Sequence, residues 1–79
     1  MKNTVKYFAI FREQTGLEQE PVEWPGGTAA ELFALVADKH EKLQAQAAAL
    51  VAINDEMSEW DRVLEEGDEV LFFPPVAGG

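Results

Sequence analysis

Cysteine is absent from this 79-residue chain, and histidine occurs only once. Without a thiol the chain can form no disulfide, supply no cysteine nucleophile and build no cysteine-based zinc site. The single histidine, His40, follows a predicted helix, and we expect a surface or capping residue there rather than a metal ligand or a catalytic base. The acidic residues around Asp55 lack the spacing and the glycine of a calcium loop. We therefore expect no metal site, and no enzyme acting alone.

Basic residues are also few: six lysines and arginines stand against 15 acidic residues, which gives a net charge of −9. This charge would be repelled by phosphate backbones, which argues against a nucleic-acid partner. It favours a protein partner with a basic docking surface. No apolar run approaches the roughly 18 residues of a membrane span, and the first residues lack the apolar segment of a signal peptide. We expect a cytoplasmic protein that does not engage a membrane.

The length predicts one small domain, residues 1–79, without repeats or linkers. Alternating apolar residues predict strands over residues 4–12, 18–24, 50–54 and 69–73, with a possible short return strand over 57–59. Pro21 restricts the second strand to a sheet edge. The first and last strands are rich in aromatic residues, and we expect both at the centre of the sheet, side by side.

The main helix is predicted from a capping box, in which Thr28 is followed three residues later by Glu31. The helix should run to about His40, with Ala29, Leu32 and Val36 on its buried side. Residues 42–49 are rich in alanine and glutamine and are compatible with a second short helix. One helix packed on a mixed sheet is the α+β arrangement that this pattern favours.

An apolar surface is predicted on the side of the sheet that faces away from the helix. Strand alternation should turn one set of apolar side chains outward on the two central strands, with Arg12 at the edge of the set. Large exposed apolar patches on small domains mark binding sites. The alternative is that a loop or a second layer covers this side. The predicted outward residues are Phe8, Ile10, Leu71 and Phe73.

The last six residues form a narrow tail with the sequence PPVAGG. Pro74 and Pro75 end sheet pairing and stiffen the base of the tail, whereas Gly78 and Gly79 could enter a channel too narrow for side chains. Fully extended, residues 74–79 would reach roughly 20 Å. We predict a flexible C-terminal arm over 74–79 that carries the carboxylate of Gly79 into the interior of a partner.

Three segments of the chain resemble the small subunit of molybdopterin synthase. They are residues 6–13 (KYFAIFRE), residues 51–54 (VAIN) and above all residues 67–79 (GDEVLFFPPVAGG). The resemblance spans essentially the whole chain and is weak only over 19–24 and 39–49. It implies a ubiquitin-like β-grasp fold.

The resemblance also implies a sulfur carrier for molybdenum cofactor biosynthesis. A partner adenylating enzyme would use ATP and magnesium to join the Gly79 carboxylate to AMP, and a sulfur donor would then leave a thiocarboxylate. The charged carrier would dock on the large synthase subunit, within a heterotetramer, and give its sulfur to the dithiolene. The carrier would bind no cofactor. Gly78 and Gly79 would be the reactive end, and the partner-binding residues would be Phe8, Ile10, Arg12, Leu71, Phe73, Pro74, Pro75, Val76 and Ala77.

Three other functions stay open at this point. A related carrier could feed sulfur to thiazole or to transfer RNA. A protein modifier could join Gly79 to lysines of its targets, and an interaction module could use the apolar surface while its tail is inert.

Overall fold

The computed structural model describes residues 1–43 and 49–75. The described residues form five strands and two helices. In chain order these are β1 (Lys2–Tyr7), α1 (Ile10–Thr15), β2 (Gln19–Glu23), α2 (Ala29–Lys39), β3 (Leu50–Ile53), β4 (Glu56–Ser58) and β5 (Glu69–Phe73). The sheet order is β2-β1-β5-β3-β4, and α2 is the longer of the two helices. The predicted α+β class, a mixed sheet with one main helix, is confirmed.

The two aromatic-rich strands lie side by side at the centre of the sheet, as predicted. β1 and β5 run parallel, with Tyr7 opposite Phe72, and the other neighbouring strands pair antiparallel. β2 forms one edge of the sheet and carries Pro21, which has no N–H to offer a further strand. The strand predictions for residues 18–24, 50–54 and 69–73 are confirmed to within a residue or two, and the short return strand is β4.

Helix α2 begins at the predicted capping box. The Thr28 hydroxyl accepts a hydrogen bond from the Glu31 N–H at 3.2 Å, and the Glu31 carboxylate accepts one from the Thr28 N–H at 2.8 Å. These bonds satisfy amide groups that the first helical turn leaves without partners. The helix ends at Lys39, and the N–H of the capping residue His40 donates to the Val36 carbonyl at 2.9 Å.

The core lies between α2 and one side of the sheet. Phe33 of α2 packs edge-on against Phe72 of β5, with ring centres 4.8 Å apart, and lies 6.1 Å from Phe11. Trp60 stacks on the Phe72 ring at 5.9 Å. Because Phe72 is fully buried at the centre of this aromatic group, β5 is held firmly against the helix.

A buried carboxylate joins the C-terminal end of α2 to the sheet. Glu20 of β2 is 7% exposed and accepts hydrogen bonds from the Tyr7 hydroxyl, His40 Nε2 and Lys39 Nζ, each at 2.6 Å. Burial alone would raise the pKa of Glu20, but the hydrogen bonds from Lys39, Tyr7 and His40 outweigh burial and lower that pKa to about 2. Burial raises the pKa of Tyr7, and its bond to Glu20 adds to the effect, so the hydroxyl keeps its proton.

The first strand differs from its prediction. It ends at Tyr7 rather than at Arg12, and the chain turns at Ala9 into helix α1. Helix α1 ends at Thr15, and Gly16 closes it at φ 77°. One physical reason lies in the neighbouring strand: β5 stops at Phe73 before two prolines, so beyond Phe8 a longer β1 would have no partner on that side.

The possible second helix over residues 42–49 falls mostly on residues 44–48, outside the described residues.

Candidate docking surface

The tail leaves the sheet at its centre. β5 is the middle strand of the five, and Pro74 and Pro75 follow it directly. The turn after β1 lies beside this exit, because the Phe8 N–H donates to the Phe72 carbonyl at 3.3 Å. The described residues around the base of the tail are therefore those of β5, of the β1–α1 turn and of β3 on the other side.

An apolar patch covers the side of the sheet that faces away from α2. Residues directly opposite each other in the pairing share a face, and Phe73 pairs with Leu50, Leu71 with Ala52, and Ala52 with Met57. Their neighbours Val51 and Phe72 point into the core. We call Leu50, Ala52, Met57, Leu71 and Phe73 the outer patch.

The outer patch lies partly where the sequence placed it. Leu71 and Phe73 do turn away from the helix, and both are half-buried. The patch then continues onto β3 and β4, whereas the β1 residue opposite Leu71 is Lys6, which pairs with Glu69 at 2.9 Å. Within β1 the position beside Leu71 is therefore charged, and Phe8 and Ile10 lie beyond the end of that strand.

Leu50, Ala52 and Met57 are the patch residues that sequence reasoning missed. The alternation of Leu50 and Ala52 with the buried Val51 and Ile53 was the available signal. Met57 gave a weaker one, since its strand has only three residues. Met57 is nevertheless 63% exposed, and its flexible side chain suits an adaptable binding surface.

Phe8 and Ile10 are exposed, as predicted, but not through strand alternation. Phe8 is 59% exposed in the turn after β1, and Ile10 is 45% exposed at the first position of α1. The exposure of both residues was predicted correctly, but they lie in a turn and a helix rather than in the predicted strand. The predicted surface therefore draws on two parts of the fold, the outer patch on the sheet and a second part on the turn and α1.

The second part is a shallow open depression beside α1. Phe8 and Leu17 supply apolar surface, and Leu17, 37% exposed, was missed from the sequence. Arg12 stands at the rim and pairs with Glu18 at 3.6 Å. Because both side chains of this pair are largely exposed, the pair is weak and the guanidinium can still bind an acid of a partner. The lining residues are Phe8, Ala9, Arg12, Glu13, Gly16, Leu17 and Glu18.

Of the remaining predicted site residues, Pro74 and Pro75 lie within the part of the chain that the structure describes. Pro74 is half-buried and Pro75 is exposed. The predictions for Val76, Ala77, Gly78 and Gly79 lie outside the described residues. His40 is the capping residue expected from the sequence, and its ring is partly buried against Glu20.

Within residues 1–43 and 49–75, no group of three or more histidine and acidic side chains is arranged to hold a metal ion. In the same part of the chain, neither helix is long and apolar enough to cross a membrane.

Comparison with known proteins gives close agreement over almost the whole length. The molybdopterin synthase sulfur carrier subunits of Haemophilus influenzae and Escherichia coli are each 35% identical over 78 residues, or 95% of this chain and 96% of theirs. A Pyrococcus furiosus protein, provisionally assigned as molybdopterin converting factor subunit 1, superposes with a TM-score of 0.85 at 35% identity and covers 96% of this chain and 99% of its own.

A more distant structure shares the fold alone. The Haloferax volcanii modifier protein SAMP1 superposes over the full length of both chains, with a TM-score of 0.85 at 24% identity. Together with the sheet order, these superpositions confirm the β-grasp fold. The model of the ThiS family matches residues 5–79. The chain therefore belongs to the ThiS family.

Proposed function

We propose that this protein is the sulfur carrier of a molybdopterin synthase, the small subunit that supplies sulfur and leaves the catalysis to its partners. The observation that carries the proposal is the position of the tail. Its two prolines leave the middle strand of the sheet between the outer patch and the Phe8 turn. A partner that binds these surfaces would receive the end of the chain in its own interior. The 35% identity with two sulfur carrier subunits over nearly the whole chain supports the same function.

The proposed chemistry takes place at Gly79. A carboxylate is a poor electrophile because its charge is shared by both oxygens. An adenylating enzyme would bind Mg-ATP and let the carboxylate attack the α-phosphorus, which releases pyrophosphate and leaves an acyl-adenylate. Sulfur at the sulfide level, released by a sulfur donor, would then attack the carbonyl carbon and expel AMP, and the product would be a thiocarboxylate. ATP and magnesium would therefore be used by the partner enzyme, with ATP consumed as a substrate, and the carrier would bind neither.

The thiocarboxylate sulfur is a soft nucleophile that the carrier would deliver to the large subunit. Two sulfurs are needed for each dithiolene, so two charged carriers would serve each product. We expect the large subunit to supply the bases and the phosphate-binding groups of the reaction, and the assembly to be a heterotetramer with two carriers.

Docking would use both apolar surfaces and the charge of the protein. Phe8 and Phe73 are large exposed or half-exposed aromatic side chains beside the tail, and aromatic residues of this kind are the usual anchors of interfaces, while Met57 adds exposed apolar surface on β4. The net charge of −9 would steer the carrier toward a basic partner surface. Arg12 would contribute one polar contact at the rim.

Reconstitution tests this function directly. The carrier, a large synthase subunit, an adenylating enzyme, Mg-ATP, a sulfur source and the cyclic pyranopterin precursor are mixed, and molybdopterin is measured. We expect product with the intact chain and none with a chain lacking Gly79, although both should show the same thermal unfolding. Synthesis that is undiminished by the deletion would contradict the proposal.

The other functions appear as distinct outcomes of that experiment. A thiocarboxylate that forms without molybdopterin would point to thiazole synthesis or transfer RNA thiolation. Adducts of higher mass that need Gly79 would point to a protein modifier. Binding without any change at Gly79 would point to an interaction module.

A further inference from the structure

Ala9 adopts a backbone conformation that alanine rarely adopts. Its φ of 55° and ψ of −126° bring the β-carbon close to neighbouring backbone atoms. Among residues 1–43 and 49–75, the other non-glycine residues with positive φ are Asn54 and Asp55, which belong to the types that tolerate it best. The angles of Ala9 match the first central position of a type II′ turn, where glycine is the usual residue.

The turn itself is required by the fold. The Phe8 carbonyl accepts from the Phe11 N–H at 3.2 Å, which reverses the chain between β1 and α1. Phe8 remains bonded to the carbonyl of Phe72, while the Phe11 side chain is 4% exposed and lies in the core. Because both ends of the turn are fixed in this way, the backbone at position 9 is held in this conformation. Glycine would satisfy the same shape without strain.

The fold therefore does not explain why position 9 carries a methyl group. Ala9 is exposed, and it lines the depression between Phe8, Arg12 and Leu17. Strain of this kind is found at functional sites, where a residue is kept for a contact rather than for stability.

We propose that Ala9 is a docking residue whose methyl group fills part of the contact with the large-subunit partner, at the expense of stability in the free carrier. The inference rests on the proposed function, since it assigns a contact within the same docking surface. The proposal can be told apart from simple surface exposure, because removal of the methyl group should raise the stability of the free carrier and weaken its binding to the large subunit.

The test is Ala9→Gly in the full-length chain. Relief of the strain should raise the Tm by a few degrees, on the scale of about 4–8 °C per kcal/mol for a domain of this size. Loss of the methyl group should weaken the Kd for the large subunit by roughly fivefold, measured by titration calorimetry.

Asp55→Gly is the matched control. Asp55 also has a positive φ, of 69°, but it lies in the turn between β3 and β4, at the end of the sheet where β5 begins. The substitution creates an Asn-Gly pair, which suits such a turn and should also raise the Tm. It should leave the Kd for the large subunit within twofold, when measured at physiological salt.

Each remaining outcome overturns the inference. An Ala9→Gly protein with unchanged affinity would show that the methyl group makes no docking contact. A lower Tm would show that the methyl group serves the fold. If the wild-type chain does not bind the large subunit, the proposed function fails as well, and that result is distinct because it needs no variant.

Discussion

Phe8 combines a fixed backbone with an exposed side chain. Its backbone is held to β5 by a hydrogen bond to Phe72, yet its ring is 59% exposed. A rigid base with an exposed aromatic ring is typical of an interface anchor, because little conformational entropy is lost on binding.

Phe8→Ala should weaken binding to the large subunit by about 1 kcal/mol or more, which is at least roughly fivefold in Kd. The thermal unfolding of the free carrier should change little, since the ring is mostly exposed. Val63→Ala is the matched control, because Val63 is 67% exposed but lies beside Thr28 at the start of α2. An equal loss of affinity in both variants would show that the surface around Phe8 has no special role.

Glu20, in contrast to Phe8, has a buried side chain, and its charged carboxylate stabilises the fold. Its folded pKa of about 2 lies below the ordinary value of 4.5, so the folded state binds this proton less readily than the unfolded state does. The resulting stability is fully present above about pH 4.5 and is lost as the pH falls toward 2.

Glu20→Gln should lower the free energy of unfolding at pH 7 by roughly 1–3 kcal/mol, because donors of Tyr7, Lys39 and His40 lose a charged acceptor. The difference between wild type and variant should shrink as the pH falls from 5 to 2. Urea unfolding at several pH values measures both quantities. A difference that stays constant over this range would contradict the lowered pKa.

At the scale of the elements, local sequence motifs predicted helix and strand positions correctly where each motif allows a single structure. The capping box at Thr28 and Glu31 fixed the start of α2, and Pro21 identified an edge strand. The end of β1 could not be found in this way. Phe8, Ile10 and Phe11 fit a strand or a helix equally well, and the choice is made by β5, which ends at a distant pair of prolines.

The site was predictable to a similar degree. Leu71 and Phe73 followed from alternation within β5, whereas the contribution of Met57 depends on which strand lies next to β3. Leu17 follows the short helix α1, so its exposure beside Phe8 could not be seen before that helix was known.

Thr28→Ala tests whether the stability of α2 and docking are separate. Removal of the hydroxyl leaves the Glu31 N–H without its acceptor and should lower the free energy of unfolding by about 1 kcal/mol. Affinity for the large subunit should not change, because the cap lies on the helix layer and the outer patch on the opposite side of the sheet. Reduced affinity measured well below the Tm would show that the two layers are coupled.

At the scale of the whole molecule, charge determines how quickly partners meet. Fifteen acidic residues against six basic ones create a long-range field that salt screens. The association rate with the large subunit should therefore fall severalfold between about 50 and 500 mM salt, while the dissociation rate changes little. Stopped-flow or surface-based kinetics would measure both rates. A dissociation rate that carries most of the salt dependence would show that ion pairs within the interface dominate.

The whole molecule also shows what this chain would contribute under the proposed function. The fold supplies a rigid β5 with apolar surfaces beside it, and the partners would supply the catalysis. The central claim is therefore that Gly79 carries sulfur.

Intact mass spectrometry tests that claim most directly. The protein is incubated with Mg-ATP, an adenylating enzyme shown to be active on a known carrier, and a sulfur source, with the chain lacking Gly79 as control. The account predicts a mass increase equal to the replacement of one oxygen by sulfur, located at Gly79 and absent from the control. An unchanged mass in the intact chain would contradict the account.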